Sequence, residues 1–212
     1  MRIHTLLPAM LLIAGTGLSS DVFDMEPSCV RPSSGCKRFS SALLNDDSIP
    51  DLIMGNHSED FIKVLYGNGD GSFDPGEDYS INWPLWIESG DMDNDGDVDA
   101  VVRFTPPSPD SFAVYLNNGN GVFSDIIKLE GPGKSQTGSF SIMDFNSDGF
   151  LDIITALPIC EVYVLIGNGD GTFNPQMIFD ESLQPLALAC GDVDNDDDID
   201  IVLLCMETNG YG

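Results

Sequence analysis

Apolar residues in this chain fall into short runs punctuated by acidic or glycine-rich segments. One set, residues 51–54, 99–104, 152–156 and 200–204, opens each time on an aspartate that closes an acidic stretch. A second set, residues 61–66, 112–116 and 162–166, follows after polar connections such as 55–59 and 105–109. Each run of the second set ends in an Asn/Gly-rich turn, at 67–73, 117–123 and 167–173, and a further strand begins near the closing phenylalanine. Runs this short, bounded by turn residues, predict β-strands. Asn-Gly and Asp-Gly between them predict hairpins, because glycine accepts positive φ. Long helical periodicity is absent throughout.

The pattern repeats. Phe73, Phe123 and Phe173 stand 50 residues apart, and the aspartates Asp99, Asp152 and Asp200 recur at intervals of 53 and 48. Periods of this length mark solenoids, propellers or arrays. Four short antiparallel strands per repeat is the arithmetic of a β-propeller blade. The predicted fold is therefore all-β: a partial β-propeller of four-stranded antiparallel blades, with three full repeats (about 38–82, 83–136 and 137–183) and half of a fourth (184–212). The strand after each acidic stretch lies between neighbouring sheets and must be buried on both faces. A closed ring has four to eight blades, so the expectation is a fragment, a truncated product, or an arc completed by further blades or self-association.

Net charge is −27, from 35 acidic and 8 basic residues. Much of the acidity is phased with the repeat. The stretches are Asp91-Met-Asp93-Asn-Asp95-Gly96-Asp97-Val-Asp99, then Asp144-Phe-Asn146-Ser-Asp148-Gly149-Phe150-Leu-Asp152, then Asp192-Val-Asp194-Asn-Asp196-Asp197-Asp198-Ile-Asp200. Oxygen side chains at alternate positions around a tight turn suit a hard cation of Ca2+ size, which takes six to eight oxygens at about 2.3–2.6 Å. Without metal the carboxylates repel one another, so metal binding and folding are expected to be linked. A degenerate first copy, with Asn45, Asp47 and Asp51, has Leu43 in place of the first aspartate and Pro50 at the eighth position, and is expected to bind weakly or not at all. Such a negative field argues against nucleic acid or anionic membrane as a partner.

A basic start, an apolar stretch from Leu6 to Leu18 and a small-residue exit read as a secretory signal peptide over residues 1–20; the alternative is an uncleaved anchor. No other segment looks able to cross a membrane. Residues 21–37 form a polar lead-in. The mature chain is expected to be secreted, with a periplasmic or cell-surface position also open. Cys29 and Cys36 are close enough in sequence to pair. Among Cys160, Cys190 and Cys205, at most one further bridge competes with simple burial.

The acidic loop followed by a hydrophobic strand, and then Asn-Gly-Asp-Gly-x-Phe, resembles the FG-GAP and VCBS repeats, which are similar to those of the integrin α-subunit propeller. The resemblance covers roughly residues 38–212. It implies side-chain ligands from loop positions 1, 3, 5 and 9 and a backbone carbonyl from position 7. These are Asp91, Asp93, Asp95 and Asp99 with the carbonyl of Asp97; Asp144, Asn146, Asp148 and Asp152 with that of Phe150; and Asp192, Asp194, Asp196 and Asp200 with that of Asp198. Asp197 stands where the turn glycine is expected. An EF-hand is ruled out, because position twelve is Val102, Thr155 or Leu203 rather than glutamate. The implied function is a calcium-binding module for an extracellular protein or polysaccharide, with calcium structural. The alternative is the scaffold of an extracellular hydrolase or polysaccharide lyase whose catalytic part lies outside this chain.

Other chemistry is thin. His4 falls in the leader, and His57 reads as an ordinary surface side chain, which leaves no Ser-His-Asp set. Residues 131–135 mimic a P-loop tail but lack its earlier glycine. Close carboxylate pairs belong to the metal loops, where calcium would hold them ionised, the opposite of what a general acid needs. Asp70 and Asp170 read as turn formers. Tyr79, Trp83 and Trp86 suit inter-blade packing better than sugar stacking. Asn56-His57-Ser58 is an N-glycosylation sequon.

Overall fold

The computed structural model describes residues 11–13, 28–30, 36–105, 111–130, 140–157, 161–180, 184–196 and 198–206. Every element among them is a strand. A two-stranded ribbon, β1 (Leu11–Ile13) with β2 (Ser28–Val30), precedes the repeats. The first blade is β3 (Cys36–Ala42), β4 (Asp51–Asn56), β5 (Phe61–Gly67) and β6 (Phe73–Ser80). The second is β7 (Pro84–Gly90), β8 (Asp99–Phe104), β9 (Ser111–Asn117) and β10 (Phe123–Glu130). The third is β11 (Phe140–Met143), β12 (Asp152–Leu157), β13 (Glu161–Gly167) and β14 (Phe173–Asp180), and β15 (Gln184–Gly191) with β16 (Asp200–Met206) begins a fourth. Within each blade the strands pair antiparallel in sequence order, so this is a partial β-propeller of four-stranded blades.

Alternation along the second strand of each blade builds the stack. Side chains two apart share a face, so Ile53 points toward the second blade while Leu52 and Met54 point the other way. Between the first two blades Ile53, Ile62 and Val64 meet Ala100, Val102, Ala113 and Tyr115. Between the second and third, Val101, Phe112 and Val114 meet Phe140, Ile153 and Leu165. Ile154, Ala156 and Val164 then meet Leu188, Ile201 and Leu203 of the fourth. As the sequence predicts, β4 and β8 are buried along their whole length. In β16 alternation returns: Ile201 and Leu203 pack inward, whereas Val202 and Leu204 are 47% and 61% exposed.

Register also decides the cysteines. Cys190 pairs with Ile201 and Cys205 with Pro185, which separates them by about five residues, or roughly 16 Å along the strands, too far for a disulfide. Cys190 is free and packs into the third interface, where burial pushes its thiol up to about 11. Cys160 and the side chains of Cys29, Cys36 and Cys205 lie outside the described residues, as do most of the leader and the Gly131–Ser135 turn.

Tyr115 is fully buried in the first interface, and its hydroxyl finds no hydrogen-bonding partner among the described residues. Its ring packs edge-on against Tyr79 and Phe123. A buried hydroxyl without a partner costs about 1–3 kcal/mol. Tyr115→Phe keeps the packing and is expected to raise unfolding free energy by about 1 kcal/mol in urea denaturation; a loss of stability would show that the hydroxyl is satisfied.

Candidate metal centres and the carboxylate hub

Four loops joining the first and second strands lie at one end of the sheets, beside the Asn/Gly-rich turns joining the third and fourth. In the second loop Asp91, Asp93 and Asp99, and in the fourth Asp192, Asp194 and Asp200, each offer a carboxylate oxygen within 4.8 Å of the others. Oxygens on opposite sides of a Ca2+ at about 2.4 Å are separated by about this span. The all-oxygen donor set therefore fits a hard divalent cation, with carboxylate charge that the ion would neutralise.

Hydrogen bonds inside the loops repeat with the sequence. The position-1 carboxylate accepts from the N–H groups of positions 5 and 6: Asp91 from Asp95 and Gly96 at 3.1 and 3.0 Å, and Asp144 from Asp148 and Gly149 at 3.1 and 2.9 Å. Position 5 accepts from the N–H of position 7, as Asp95 from Asp97, Asp148 from Phe150 and Asp196 from Asp198. Glycine at position 6 adopts positive φ, 96° at Gly96 and 91° at Gly149. Asp197, which replaces it in the fourth loop, lies outside the described residues. In the third loop Asn146 accepts from the Asp148 N–H at 3.0 Å, while its Nδ2 donates to Asp148 Oδ2 at 2.8 Å.

In the second and third loops the side chain at position 7 lies over the facing turn rather than in the loop. The Asp97 carboxylate lies over Gly119, where a Cβ would come within 2.9 Å of its oxygens. The Phe150 ring covers Gly169 in the same way and leaves even less room for a Cβ. This placement leaves position 7 only its carbonyl to offer a loop ion. It also explains why the turn opposite requires glycine at a spot where φ is positive (81° and 72°).

The aspartate at position 9 does more than the sequence foretold. Asp51, Asp99 and Asp152 are fully buried. In each, Oδ2 accepts from the N–H of loop position 2: Leu44 at 3.1 Å, Met92 at 2.8 Å and Phe145 at 2.9 Å. Oδ1 accepts from the N–H that ends the third strand: Gly67, Asn117 and Gly167, all at 2.8 Å. Asp200 keeps the first of these bonds, to Val193 at 3.0 Å. One carboxylate thus ties loop, second strand and third strand together. Asn117 extends the tie between blades, its Nδ2 donating to the carbonyls of Leu44 and Val98 at 2.8 and 3.1 Å. Gly67, Asn117 and Gly167 were visible only as turn openers; their exact 50-residue recurrence was the signal for this role.

The degenerate first loop keeps its internal turns, with Asp47 N–H on Asn45 and Ile49 N–H on Asp47. Leu43 is about half exposed at position 1 and supplies no carboxylate. Asp51 survives there as a hub. Asp70 and Asp170 accept from the N–H and hydroxyl of Ser72 and Thr172, which hold both below the usual carboxylate range; they form turns, as expected. Tyr79 packs between blades with Tyr115 and Phe123. Arg38 stacks over Trp86, whose Nε1 donates to Glu88. His57 is half-buried against the exposed Trp83. Asn56 of the sequon is fully buried and hydrogen-bonded to Glu59, so the folded chain does not present it for glycosylation.

Sequence comparison matches the FG-GAP-like repeat family over residues 44–102 and 91–155, together more than half of the chain. The chain belongs to that family. No curated protein matched. Among solved structures, a lectin from Agrocybe aegerita, solved for its specific recognition of non-reducing terminal N-acetylglucosamine, is similar over 77% of this chain and 45% of its own, with 21% identity and a TM-score of 0.55. BBS1N, in a complex with ARL6DN soaked with lead, is similar over 80% of this chain and 55% of its own, with 12% identity and a TM-score of 0.48. The chain thus spans less than two thirds of the length of either.

Burial pushes the Asp99 carboxyl up to about 7, against the pull of its two backbone donors; Asp51 and Asp152 are raised for the same reason. The metal-free fold therefore binds a proton that an unfolded aspartate, near pKa 3.9, releases. Stability from Asp99 is complete below about pH 4 and is lost as pH rises to about 7. In chelator, the melting temperature should fall across that window, and calcium binding at pH 6 should release protons; a rising melt there would contradict the burial argument. Separately, Asp152→Ala removes two charged hydrogen bonds and should cost about 3 kcal/mol or more with or without calcium. Asp93→Ala removes only one long, exposed hydrogen bond from the Asp95 N–H (3.3 Å) and should cost little in chelator but clearly more when calcium is present, a contrast that denaturation in both conditions would read.

Proposed function

We propose that this chain is a calcium-stabilised β-propeller module that acts outside the cell by binding a protein or polysaccharide, with calcium structural rather than catalytic. The observation that carries the reading is the recurrence, in register with the blades, of carboxylates converging on one centre. Calcium held by Asp91, Asp93 and Asp99, and by the matching sets of the third and fourth loops, would neutralise crowded charge at the end of each sheet and stiffen the loop that the hub aspartate anchors. Extracellular calcium is abundant enough for loops of modest affinity (about 10⁻⁴–10⁻³ M). The leader-like N-terminus supports secretion. Similarity of fold to a sugar-binding lectin supports a binding role, although a shared fold does not carry a ligand with it.

Calcium is expected to raise the melting temperature and EDTA to lower it. Saturation at a hundredfold excess over Kd adds about 2.7 kcal/mol per site, and a domain of this size gains about 2–4 °C per kcal/mol. Differential scanning calorimetry with calcium, magnesium and EDTA reads this directly, and an unchanged melt would remove the proposal. Capture of extracellular polysaccharides or matrix proteins by the immobilised chain, with and without calcium, tests the binding role.

A further inference from the structure

Trp83 adopts a left-handed backbone conformation, φ 45°, which is a genuine outlier for a bulky side chain. Three hydrogen bonds hold this corner. The Trp83 N–H donates to Asp60 Oδ1 at 2.9 Å, the Ile81 N–H to the Asp60 carbonyl at 2.9 Å, and the Thr105 N–H to the Trp83 carbonyl at 3.3 Å. Buried Asn56 fixes the facing turn. Its Oδ1 accepts from Ser58 and Glu59 at 2.9 and 3.1 Å, and its Nδ2 donates to Glu59 Oε2 at 2.9 Å. His57 is thereby set against the indole, with ring centroids 4.8 Å apart and planes tilted by 35°. Trp83 nevertheless leaves 46% of its surface open to solvent, although its backbone is held in this strained conformation from three sides. Strained, over-determined backbone that presents a side chain to solvent is the pattern of a preorganised binding element.

We propose that Trp83, with His57 beside it and Glu59 and Asp60 at its margin, is a platform for a neutral sugar ring. It lies at the junction of the first two blades, at the end of the sheets opposite the acidic loops. The apolar C–H face of a pyranose stacks on the open indole. Its hydroxyls find the imidazole and two carboxylates, each of which holds the scaffold through one named oxygen and has lone pairs for further donors. A net charge of −27 and these two carboxylates disfavour anionic sugars. A single indole flanked by one imidazole is not the multi-aromatic cage that a quaternary ammonium ligand uses. This inference rests on the binding role proposed above and names its site.

The test uses the full chain in calcium, with triacetylchitotriose, cellotriose and maltotriose as neutral probes. Trp83 and Trp86 are the two tryptophans, so the Trp86→Phe variant makes indole fluorescence report on Trp83 alone. At least one trisaccharide should shift that emission saturably in the millimolar range. Isothermal titration calorimetry reads the variants that lack the reporting indole: Trp83→Ala should weaken binding by about thirtyfold or more, the loss on truncating an aromatic hot spot, while Trp83→Phe retains it and the calcium-dependent melt stays unchanged in both. The platform is overturned if no trisaccharide binds, if binding survives Trp83→Ala undiminished, or if choline binds through Trp83 and the sugars do not. Should calcium stabilisation persist while the sugars fail, only the platform falls; should both fail, the proposed function falls with it.

Discussion

Each blade is organised around a carboxylate buried where its second strand begins. Burial disfavours a charged aspartate, and the compensation comes from two backbone N–H groups supplied by segments distant in sequence. Asp99 can accept from Met92 and Asn117 at once only if the acidic loop and the turn after the third strand are both in place. Satisfying one side chain therefore fixes the geometry of the loop that could hold an ion. The same constraint accounts for the first blade, where Asp51 keeps its two donors although the loop has lost its position-1 carboxylate.

Two functions thus overlap within nine residues. Positions 1, 3 and 5 use their oxygens on the loop's own backbone, positions 1 and 3 converge with position 9 on one centre, and position 9 also anchors the loop to the sheet. Loss of the position-1 carboxylate in the first blade leaves the loop's remaining turns and its hub in place. The blades then stack chiefly through neighbouring apolar faces, so a strand with a blade on either side needs apolar residues on both. Val202 and Leu204 are exposed because, among the described residues, β16 has a neighbouring blade on one face only.

Much of this was legible in the chain. The 50-residue period, the four strands per repeat, the hairpin turns and, in the first three blades, the doubly buried second strand all follow from residue order, and the fold agrees with them. The hub escaped notice because an aspartate that accepts two backbone bonds looks, in sequence, like one more ligand in an acidic run. Trp83 escaped for a different reason. Its neighbours Pro84-Leu85-Trp86-Ile87 read as a strand with buried aromatics, and nothing local signals a positive φ on tryptophan or a tether to Asp60, 23 residues away.

Periodicity alone determined the all-β repeat and the positions of its acidic corners, because strand alternation and turn chemistry are local. Which oxygens turn inward to a shared centre, which aspartate is buried, which sequon is closed off and which tryptophan faces solvent were decided only in three dimensions. Those outcomes depend on hydrogen-bond donors and packing partners brought together from different strands, and no window of sequence contains them.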